Sequence, residues 1–220
     1  MIRIIKATEN PLSFMGEVAS ACWGSTSSKQ IGIDCIESGH GRVMEYPDIT
    51  IKISEYSARV VREIYTHIIG TTRLQESTRY IEYGDFEYFT PDSIKNNEEA
   101  KFEYDSLMHS ISINYKTLQE LGVPKQDIAN ILPLGMTSTI VLKINLRAIL
   151  HMAELRTCNR AYHEFRDFMN ELELELHDLD EEWKYIMENY YKTKCDIIGY
   201  CTEKNSCGRM PKREDVINGN

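Results

Sequence analysis

The chain has 220 residues, of which 42% are hydrophobic and 27% are charged, and its formal net charge is −9. This composition fits one globular domain that can bury a sizeable core. The acidic balance argues against general nucleic-acid binding, which needs a basic surface. The longest stretch without a charge, Ile128 to Leu142, is too short to span a bilayer, so we expect neither a nucleic-acid partner nor a membrane partner.

The N-terminal residues and the cysteines indicate a compartment. The first residues lack the long apolar segment of a secretory signal. Six cysteines in such a chain are typical of a reducing environment, where free thiols or metal ligation are favoured over disulfides. We therefore expect a cytoplasmic protein with one domain over residues 1–192 and a cysteine-containing tail over residues 193–220.

Apolar patterns in the first half of the chain predict both strands and helices. Residues 49–54, ITIKIS, alternate as in a half-buried strand. Apolar residues then recur at helical spacing from Ser57 to about Ile68. The aromatic stretch 80–89, YIEYGDFEYF, predicts a further strand that Pro91 closes.

The second half is predicted to be mainly helical. A long amphipathic helix spans residues 96–121 and ends at Gly122, and Pro124 begins a further helix that stops at Leu132 and Pro133. Residues 138–144, STIVLKI, predict a strand or an extended lead-in to the next helix. The irregular mixture of strands and helices favours an α+β fold.

The longest helical pattern covers residues 145–176, with a break near Thr157–Asn159. An aspartate, Asp178 or Asp180, is placed to cap a last helix that follows it. The first part of this helical pattern also carries polar residues that suggest a binding site.

One face of the helix that begins near Asn145 has an unusual polar composition. Arg147, His151, Glu154 and Cys158 recur at helical spacing and form one stripe beside an apolar stripe. Solvated faces are usually rich in Lys and Glu, whereas Asn, Arg and His suit a phosphate or a heterocycle, because a guanidinium supplies forked donors. From this pattern alone, a ligand site and a solvated face both stay open.

These segments resemble the flavin-dependent thymidylate synthases. NLRAILHMAELRTCNRAYHEFR, residues 145–166, preceded by ILPLG, residues 131–135, is similar to the C-terminal signature of that family. SGHGRVMEY, residues 38–46, resembles the family's Gly-His segment. The order and spacing of these segments agree over roughly residues 30–175.

The family's hallmark motif, RHRxxSxNExSxRY, is half present in TRLQESTRY, residues 72–80. Ser77, Arg79 and Tyr80 match the motif, and Gln75 stands where the family has Glu. The concentration of arginine, glutamine and hydroxyl groups in this acidic chain is typical of a pocket for a small anion.

The Arg-His-Arg head of the motif is eroded. One inserted residue aligns His67 with the motif histidine, but Thr66 and Ile68 stand where the family has two arginines. Ala129 replaces an arginine that the family has shortly before its Leu-Pro segment. Arg73 is an additional cation that we expect to replace one lost charge. The chain is thus similar to a divergent branch of the family, or to a relative with altered nucleotide chemistry.

The resemblance implies a fold and an activity. The expected fold is a single α+β domain with a central, mostly antiparallel sheet flanked by long helices. The expected assembly is a homotetramer that binds FAD and dUMP where subunits meet. The expected reaction is the reductive methylation of dUMP to dTMP, with methylenetetrahydrofolate as carbon donor and NADPH as reductant. The flavin would carry the redox chemistry while the protein orients the uracil ring.

Position by position, the resemblance implies two sets of site residues. The set implied for the nucleotide comprises Arg73, Gln75, Ser77, Arg79 and Arg156. Arg156 matches the arginine that contacts and polarises the pyrimidine, so it is also the candidate catalytic residue. The set implied for the flavin comprises His40, Arg42, His67, Asn145, Arg147, His151 and Arg160.

Alternatives to this function and a possible metal site stay open. The eroded motif also fits a related enzyme that modifies C5 of another pyrimidine nucleotide, or a non-catalytic flavin or nucleotide binder. Cys195, Cys201 and Cys207 follow one another at five-residue gaps, which is a weak match to the C-x2–4-C spacing common in zinc sites. A fourth ligand would have to come from elsewhere, such as Cys158, and reduced thiols without metal are the favoured alternative.

Overall fold

The computed structural model describes residues 1–218, so the last two residues of the predicted tail lie outside the described residues. The chain forms two compact units. The first unit comprises Met1, residues 52–66 and residues 73–142. The second unit comprises residues 2–51, residues 67–72 and the chain from residue 143 onward.

Four strands form one open antiparallel sheet, as predicted for an α+β fold. The strands are β1 (Ile2–Ala7), β2 (Asp48–Ser57), β3 (Thr71–Gln75) and β4 (Thr137–Asn145). Their order in the sheet is β1-β2-β4-β3, so β3 is an edge strand. The strands predicted over residues 49–54 and 138–144 are confirmed as β2 and β4.

Helices make up most of the remaining structure. They are α1 (Pro11–Trp23), α2 (Lys29–Glu37), α3 (Ala58–Ile64), α4 (Asp92–Lys95), α5 (Glu98–Glu120), α6 (Lys125–Ile128), α7 (Leu146–Arg156), α8 (His163–His177), α9 (Glu181–Tyr190), α10 (Lys194–Ile198) and α11 (Arg213–Ile217). Two short 3-10 helices span Val43–Glu45 and Ala129–Ile131. Among residues 1–218, no helix is long and apolar enough to cross a membrane.

Several predicted helices are confirmed with shifted ends. The long helix α5 is followed by Gly122 at a φ of +77°, where a residue without a Cβ is favoured. The break predicted near Thr157–Asn159 separates α7 from α8. The helix predicted to reach Ile68 ends at Ile64, and Ser57 caps its start by accepting a hydrogen bond from the Val60 amide at 3.2 Å.

The strand predicted over residues 80–89 is wrong. This stretch forms turns, and within it only Tyr88 forms a β-bridge, to Met136. Two of its aromatic side chains belong to the core of the first unit instead, where Tyr83 and Phe86 pack in a cluster with Tyr115. The nearby strand is β3, in which half-buried and exposed residues alternate. Aromatic content favours strands, but here burial decides the conformation.

The core of the second unit consists of helical faces. The apolar side of α7 is fully buried, and so are the apolar sides of α8 and α9. Trp183 of α9 is 0% exposed, and its ring nitrogen donates to the Thr8 carbonyl at 2.8 Å. This packing holds α7 in place, so that the opposite, polar side of the helix faces outward.

Candidate functional site

A cavity of about 750 Å³ lies beside α7 in the second unit. We call it the α7 cavity. The polar stripe predicted on this helix lines it with Arg147, His151 and Glu154, and Asn145 stands at the start of the helix. Cys158 of the predicted stripe lies beyond the end of α7 and lines a different cavity. The ligand-site alternative for this face therefore has a matching cavity.

Asn145 begins α7 as its N-cap. Its Oδ1 accepts a hydrogen bond from the Ala148 amide at 2.9 Å, and its own backbone amide donates to the Gly70 carbonyl at 3.0 Å. Gly70 has a φ of +73°, and a Cβ there would lie 2.6 Å from Asn145 Oδ1. Only glycine therefore lets the chain approach this closely. Within residues 1–218, nothing accepts a hydrogen bond from Asn145 Nδ2.

Arg147 connects α7 to the Gly-His segment. Its Nη1 lies 2.6 Å from Glu45 Oε1, with both side chains about half exposed. A Cβ at Gly41 would lie 2.9 Å from Arg147 Nε, so the backbone between His40 and Arg42 passes directly over the guanidinium. Both flanking residues are exposed, and the His40 ring contacts the Trp23 ring edge-on at 6.0 Å. Three residues of the predicted flavin set thus belong to one local structure.

The end of α9 and the residues that follow it also line the α7 cavity. Tyr190 donates a hydrogen bond from its hydroxyl to Glu37 Oε1 at 3.1 Å. Burial, followed by this bond to Glu37, raises the pKa of Tyr190 well above its usual value, so the hydroxyl stays neutral. Lys192 adds a cation to the lining, and Ile36 and Leu150 contribute apolar surface. Apolar walls with a few donors suit a heterocyclic ligand that carries charged groups.

Arg156, the candidate catalytic residue, is held at the end of α7. Its Nε donates to Nε2 of His67 at 3.0 Å, and its guanidinium carbon lies 4.8 Å from the centre of the Phe165 ring. Because His67 accepts this bond, its Nε2 carries no proton. The structure therefore brings together one residue predicted for the nucleotide and one predicted for the flavin.

Arg160 is the one residue of α7–α8 predicted for the flavin that does not line the α7 cavity. It lines a second cavity of about 310 Å³ and is bound to the tail. Its Nη1 donates to the Asn205 carbonyl at 2.6 Å, and its Nε lies 3.6 Å from Glu203. Among the described residues, no group of three or more His, Cys, Asp or Glu side chains is arranged to hold a metal ion.

In the first unit, the hallmark motif begins in the edge strand β3. Gln75 donates from Nε2 to the Ser138 hydroxyl of β4 at 3.2 Å. Arg73 donates from Nη1 to the Ile64 carbonyl at 3.2 Å, and its guanidinium carbon lies 4.8 Å from the centre of the Tyr65 ring. Both side chains are half-buried, so they point toward the body of the unit and away from solvent.

The motif continues into a turn that presents Arg79. The Ser77 carbonyl accepts from the amides of Tyr80 and Ile81 at 3.2 Å each, and the Ser77 hydroxyl accepts from the Arg79 amide at 3.3 Å. The Arg79 guanidinium is exposed and lies over the Tyr80 ring. No carboxylate within residues 1–218 forms an ion pair with it, and Glu82, which is close in sequence, is paired with Lys125 at 2.7 Å.

Glu76, to which no sequence motif assigned a role, fixes this turn on the sheet. Its carboxylate accepts from the Tyr83 hydroxyl and from the Thr139 amide, both at 2.9 Å, and its own amide donates to the Thr139 carbonyl. The signal in the sequence was the position of Glu76, since a carboxylate among anion-binding residues is unsuited to binding the anion itself. Glu76 therefore has a structural role that leaves Ser77 and Arg79 at the surface.

These segments are those of a known family. A model of the thymidylate synthase complementing protein family matches residues 3–180. The chain belongs to this family. The resemblance to flavin-dependent thymidylate synthases that the sequence motifs indicated is thereby confirmed.

Relatives in sequence and in structure agree with this membership. A flavin-dependent thymidylate synthase of Nitratidesulfovibrio vulgaris is 30% identical over 82% of this chain and 76% of its own length. One of Thermococcus onnurineus is 27% identical over 92% of this chain and 89% of its own length. Thymidylate synthase X of Helicobacter pylori, crystallised with FAD and dUMP, superposes with a TM-score of 0.69 at 20% identity, over 87% of this chain and 99% of its own. At that identity the likeness concerns the fold.

Proposed function

We propose that the protein is a flavin-dependent thymidylate synthase that converts dUMP to dTMP, with methylenetetrahydrofolate as carbon donor and NADPH as reductant. The observation that supports this most is the α7 cavity, because two of the segments that carry the family resemblance, residues 38–46 and residues 145–166, both line it. Relatives over most of the chain are flavin-dependent thymidylate synthases, and a solved neighbour contains FAD and dUMP.

The residues of the α7 cavity fit FAD. Arg147 supplies charge for a pyrophosphate or a ring carbonyl, Asn145 Nδ2 has no other acceptor within residues 1–218, and His151 stands one turn further along the helix. The volume of about 750 Å³ lies within the range of cofactor pockets. His40 and Arg42 flank the backbone over Arg147 and would complete the site. When bound, FAD supplies the redox chemistry of the reaction.

The family resemblance assigns the nucleotide to the hallmark motif and to Arg156. Ser77 and Arg79 would bind the 5′-phosphate, since a hydroxyl and an unpaired guanidinium are suited to a phosphate monoester. Arg73 and Gln75 would support them from β3. Arg156 would polarise a carbonyl oxygen of the uracil ring, because His67 and Phe165 hold its guanidinium in one orientation. In the proposed homotetramer, each active site is shared between chains.

Two measurements test this function. The purified protein should show the absorption bands of an oxidised flavin, or acquire them when FAD is added. It should oxidise NADPH only when both dUMP and methylenetetrahydrofolate are present, and dTMP should be the product found by chromatography. A colourless protein that FAD cannot reconstitute would overturn the proposal. A yellow protein that turns over UMP or dCMP instead of dUMP would overturn the substrate assignment alone.

A further inference from the structure

Part of the lining of the α7 cavity comes from a stretch of chain to which the family resemblance assigns no role. The resemblance implies no site residue after Arg160, yet residues 189–197 contribute five residues to this lining. They are Asn189, Tyr190, Lys192, Asp196 and Ile197. We call this stretch the 189–197 segment. Its charged and hydroxyl groups give the cavity a chemistry that the sequence motifs do not explain.

Lys192 lies between two anchored residues of this segment. Tyr191 is 6% exposed, and its hydroxyl donates to the Met169 carbonyl of α8 at 2.7 Å. Thr193 is 4% exposed, and its hydroxyl lies 2.9 Å from the Thr157 hydroxyl just after α7. The backbone at Thr193 is extended, and successive side chains of an extended chain point to opposite sides. Because both neighbours are buried, the exposed Lys192 side chain is directed away from the core, and it lines the α7 cavity.

The charged groups of the lining leave Lys192 available for a ligand. Each of the three carboxylates that line the cavity has a basic neighbour within the second unit. The pairs are Glu45 with Arg147 at 2.6 Å, Asp196 with Arg209 at 2.6 Å, and Glu154 with His151 at 3.9 Å. The Lys192 amine forms neither an ion pair nor a hydrogen bond within residues 1–218. An anion in the cavity would therefore meet a cation that no carboxylate neutralises.

We propose that Lys192 binds the pyrophosphate of FAD in the α7 cavity, an assignment that rests on the proposed function. The pyrophosphate is a dianion, and Arg147 already shares its charge with Glu45, so a further cation is needed where water is partly excluded. A lysine amine suits a phosphate because it is a compact charge with three donors. Tyr190 fixes the start of the same segment through its hydrogen bond to Glu37 at 3.1 Å. The 189–197 segment is thus a part of the cofactor site as well as a packing element.

Calorimetric titration of FAD into the full chain, freed of flavin, tests the proposal. Lys192→Ala should weaken FAD binding by about three- to tenfold, because a charged contact at an exposed side chain is partly screened by solvent. This difference from wild type should shrink when the salt concentration rises from about 0.05 M to about 0.5 M. Lys192→Arg keeps the charge and should bind FAD nearly as wild type does. Lys194→Ala is the matched control, because Lys194 is the next lysine, is also exposed, and lines the second cavity instead.

The possible results separate this inference from the proposed function. If wild type binds FAD and Lys192→Ala binds it equally well, the inference is overturned and the proposed function stands. A loss that salt leaves unchanged and that Lys192→Arg does not recover would also overturn it, since packing would then be the cause. A wild-type protein that does not bind FAD would overturn both.

Thermal unfolding of the flavin-free variants provides a readout that does not depend on the ligand. Since the Lys192 amine has no partner among residues 1–218, flavin-free Lys192→Ala should unfold at the same temperature as flavin-free wild type. A lower unfolding temperature would show that Lys192 stabilises the fold, and would contradict the role proposed for it.

Discussion

Arg156 Nε donates a hydrogen bond to His67 Nε2 across 3.0 Å, and the two residues are 89 positions apart in the chain. Since a guanidinium has only donors, a histidine that accepts from it must present an unprotonated nitrogen. The Phe165 ring also contacts this guanidinium, whose carbon lies 4.8 Å from the ring centre. His67 thus positions the residue that we expect to polarise the uracil ring.

His67→Ala should lower kcat by about 10-fold to 100-fold, because a hydrogen bond to a charged group contributes roughly 1.5–3 kcal/mol. His67→Gln should recover much of this loss, since the amide oxygen of glutamine can accept from Arg156. Steady-state kinetics and flavin content are measured together on both variants. A His67→Ala protein that loses flavin but keeps its turnover per bound flavin would show that His67 serves the cofactor alone.

Arg147→Ala should lower flavin occupancy while α7 remains folded, because alanine is the best helix former. The ion pair with Glu45 is about half exposed, so its loss should cost no more than about 1 kcal/mol of stability. Flavin content is read from the absorption spectrum after gel filtration. Lys143→Ala is a matched control, since Lys143 is an exposed cation of the same unit paired with Asp48 at 2.9 Å. Full flavin content in Arg147→Ala would remove this residue from the proposed site.

Asp180→Ala should lower the midpoint of thermal unfolding by about 2–8 °C, since a lost N-cap costs about 1–2 kcal/mol and each kcal/mol corresponds to about 2–4 °C in a chain of this size. Its Oδ1 accepts from the amides of Glu182 and Trp183, both at 2.8 Å, and its Oδ2 accepts from the Asn10 amide at 2.9 Å. Asp178→Ala is the control, because the side chain of Asp178 is 85% exposed. A similar loss in both variants, measured by calorimetry, would contradict the assignment of the cap to Asp180.

The sequence predicted the polar face of α7 better than it predicted the packing of the N-terminal region. The polar face of α7 repeats at the period of one helix, so Arg147 and His151 could be placed together from spacing alone. The close packing of α1 against α2 could not be predicted from spacing, because it depends on backbone contact. A Cβ on Gly16 or Gly32 would lie 2.0 Å from a carbonyl oxygen of the other segment. Such an approach is a property of the packed chain and leaves no periodic signal.

Contacts between residues that are distant in the chain could not be predicted from the sequence either. Glu45 and Arg147 are 102 positions apart, and neither shows in sequence that it pairs with the other. Tyr83 and Phe86 look like strand residues because they are aromatic, yet they pack into a cluster that α5 completes with Tyr115. The local pattern describes the side chains correctly. Tertiary burial then decides which conformation they adopt.

The protein should sediment as a homo-oligomer, and we propose a tetramer. The aromatic residues of 80–90 are weaker support for an oligomer than their number suggests, since Tyr83 and Phe86 pack inside the first unit. Exposed apolar residues support an oligomer more directly. Ile69 is 82% exposed, and Leu74, on the edge strand β3, is 75% exposed. An edge strand has unpaired backbone groups, and with an exposed leucine it can pair with a strand of another chain.

Leu74→Lys should therefore shift the sedimentation coefficient toward smaller species and reduce activity, because a charge on an edge strand opposes pairing. Leu174→Lys is the matched control, as Leu174 is a similarly exposed leucine, 68% exposed, that belongs to helix α8 and not to a strand. A wild-type protein that sediments as an active monomer would sink the oligomer proposal.

Arg73→Ala should weaken dUMP binding by roughly ten- to a hundredfold, since one charge-assisted hydrogen bond contributes about 1.5–3 kcal/mol. A phosphate dianion in a partly buried site needs more than one cation. The positions where the family has further arginines carry Thr66, Ile68 and Ala129 here. Arg79 is exposed and forms no ion pair within residues 1–218, and Arg73 is the other arginine of the motif. Flavin content should hardly change.

The contacts of Arg73 also allow a second explanation, in which Arg73 stabilises the fold and does not bind the nucleotide. Its guanidinium donates to the Ile64 carbonyl at the end of α3 and lies over Tyr65, so its loss could act on the fold instead of the ligand. Arg73→Lys keeps the charge but loses the planar fork, and Arg62→Ala removes an exposed arginine of the same helix end. Calorimetric titration of dUMP, with thermal unfolding of each variant, separates these effects. If Arg73→Ala binds dUMP as tightly as wild type and only its unfolding temperature falls, Arg73 is a structural residue and not the substitute cation.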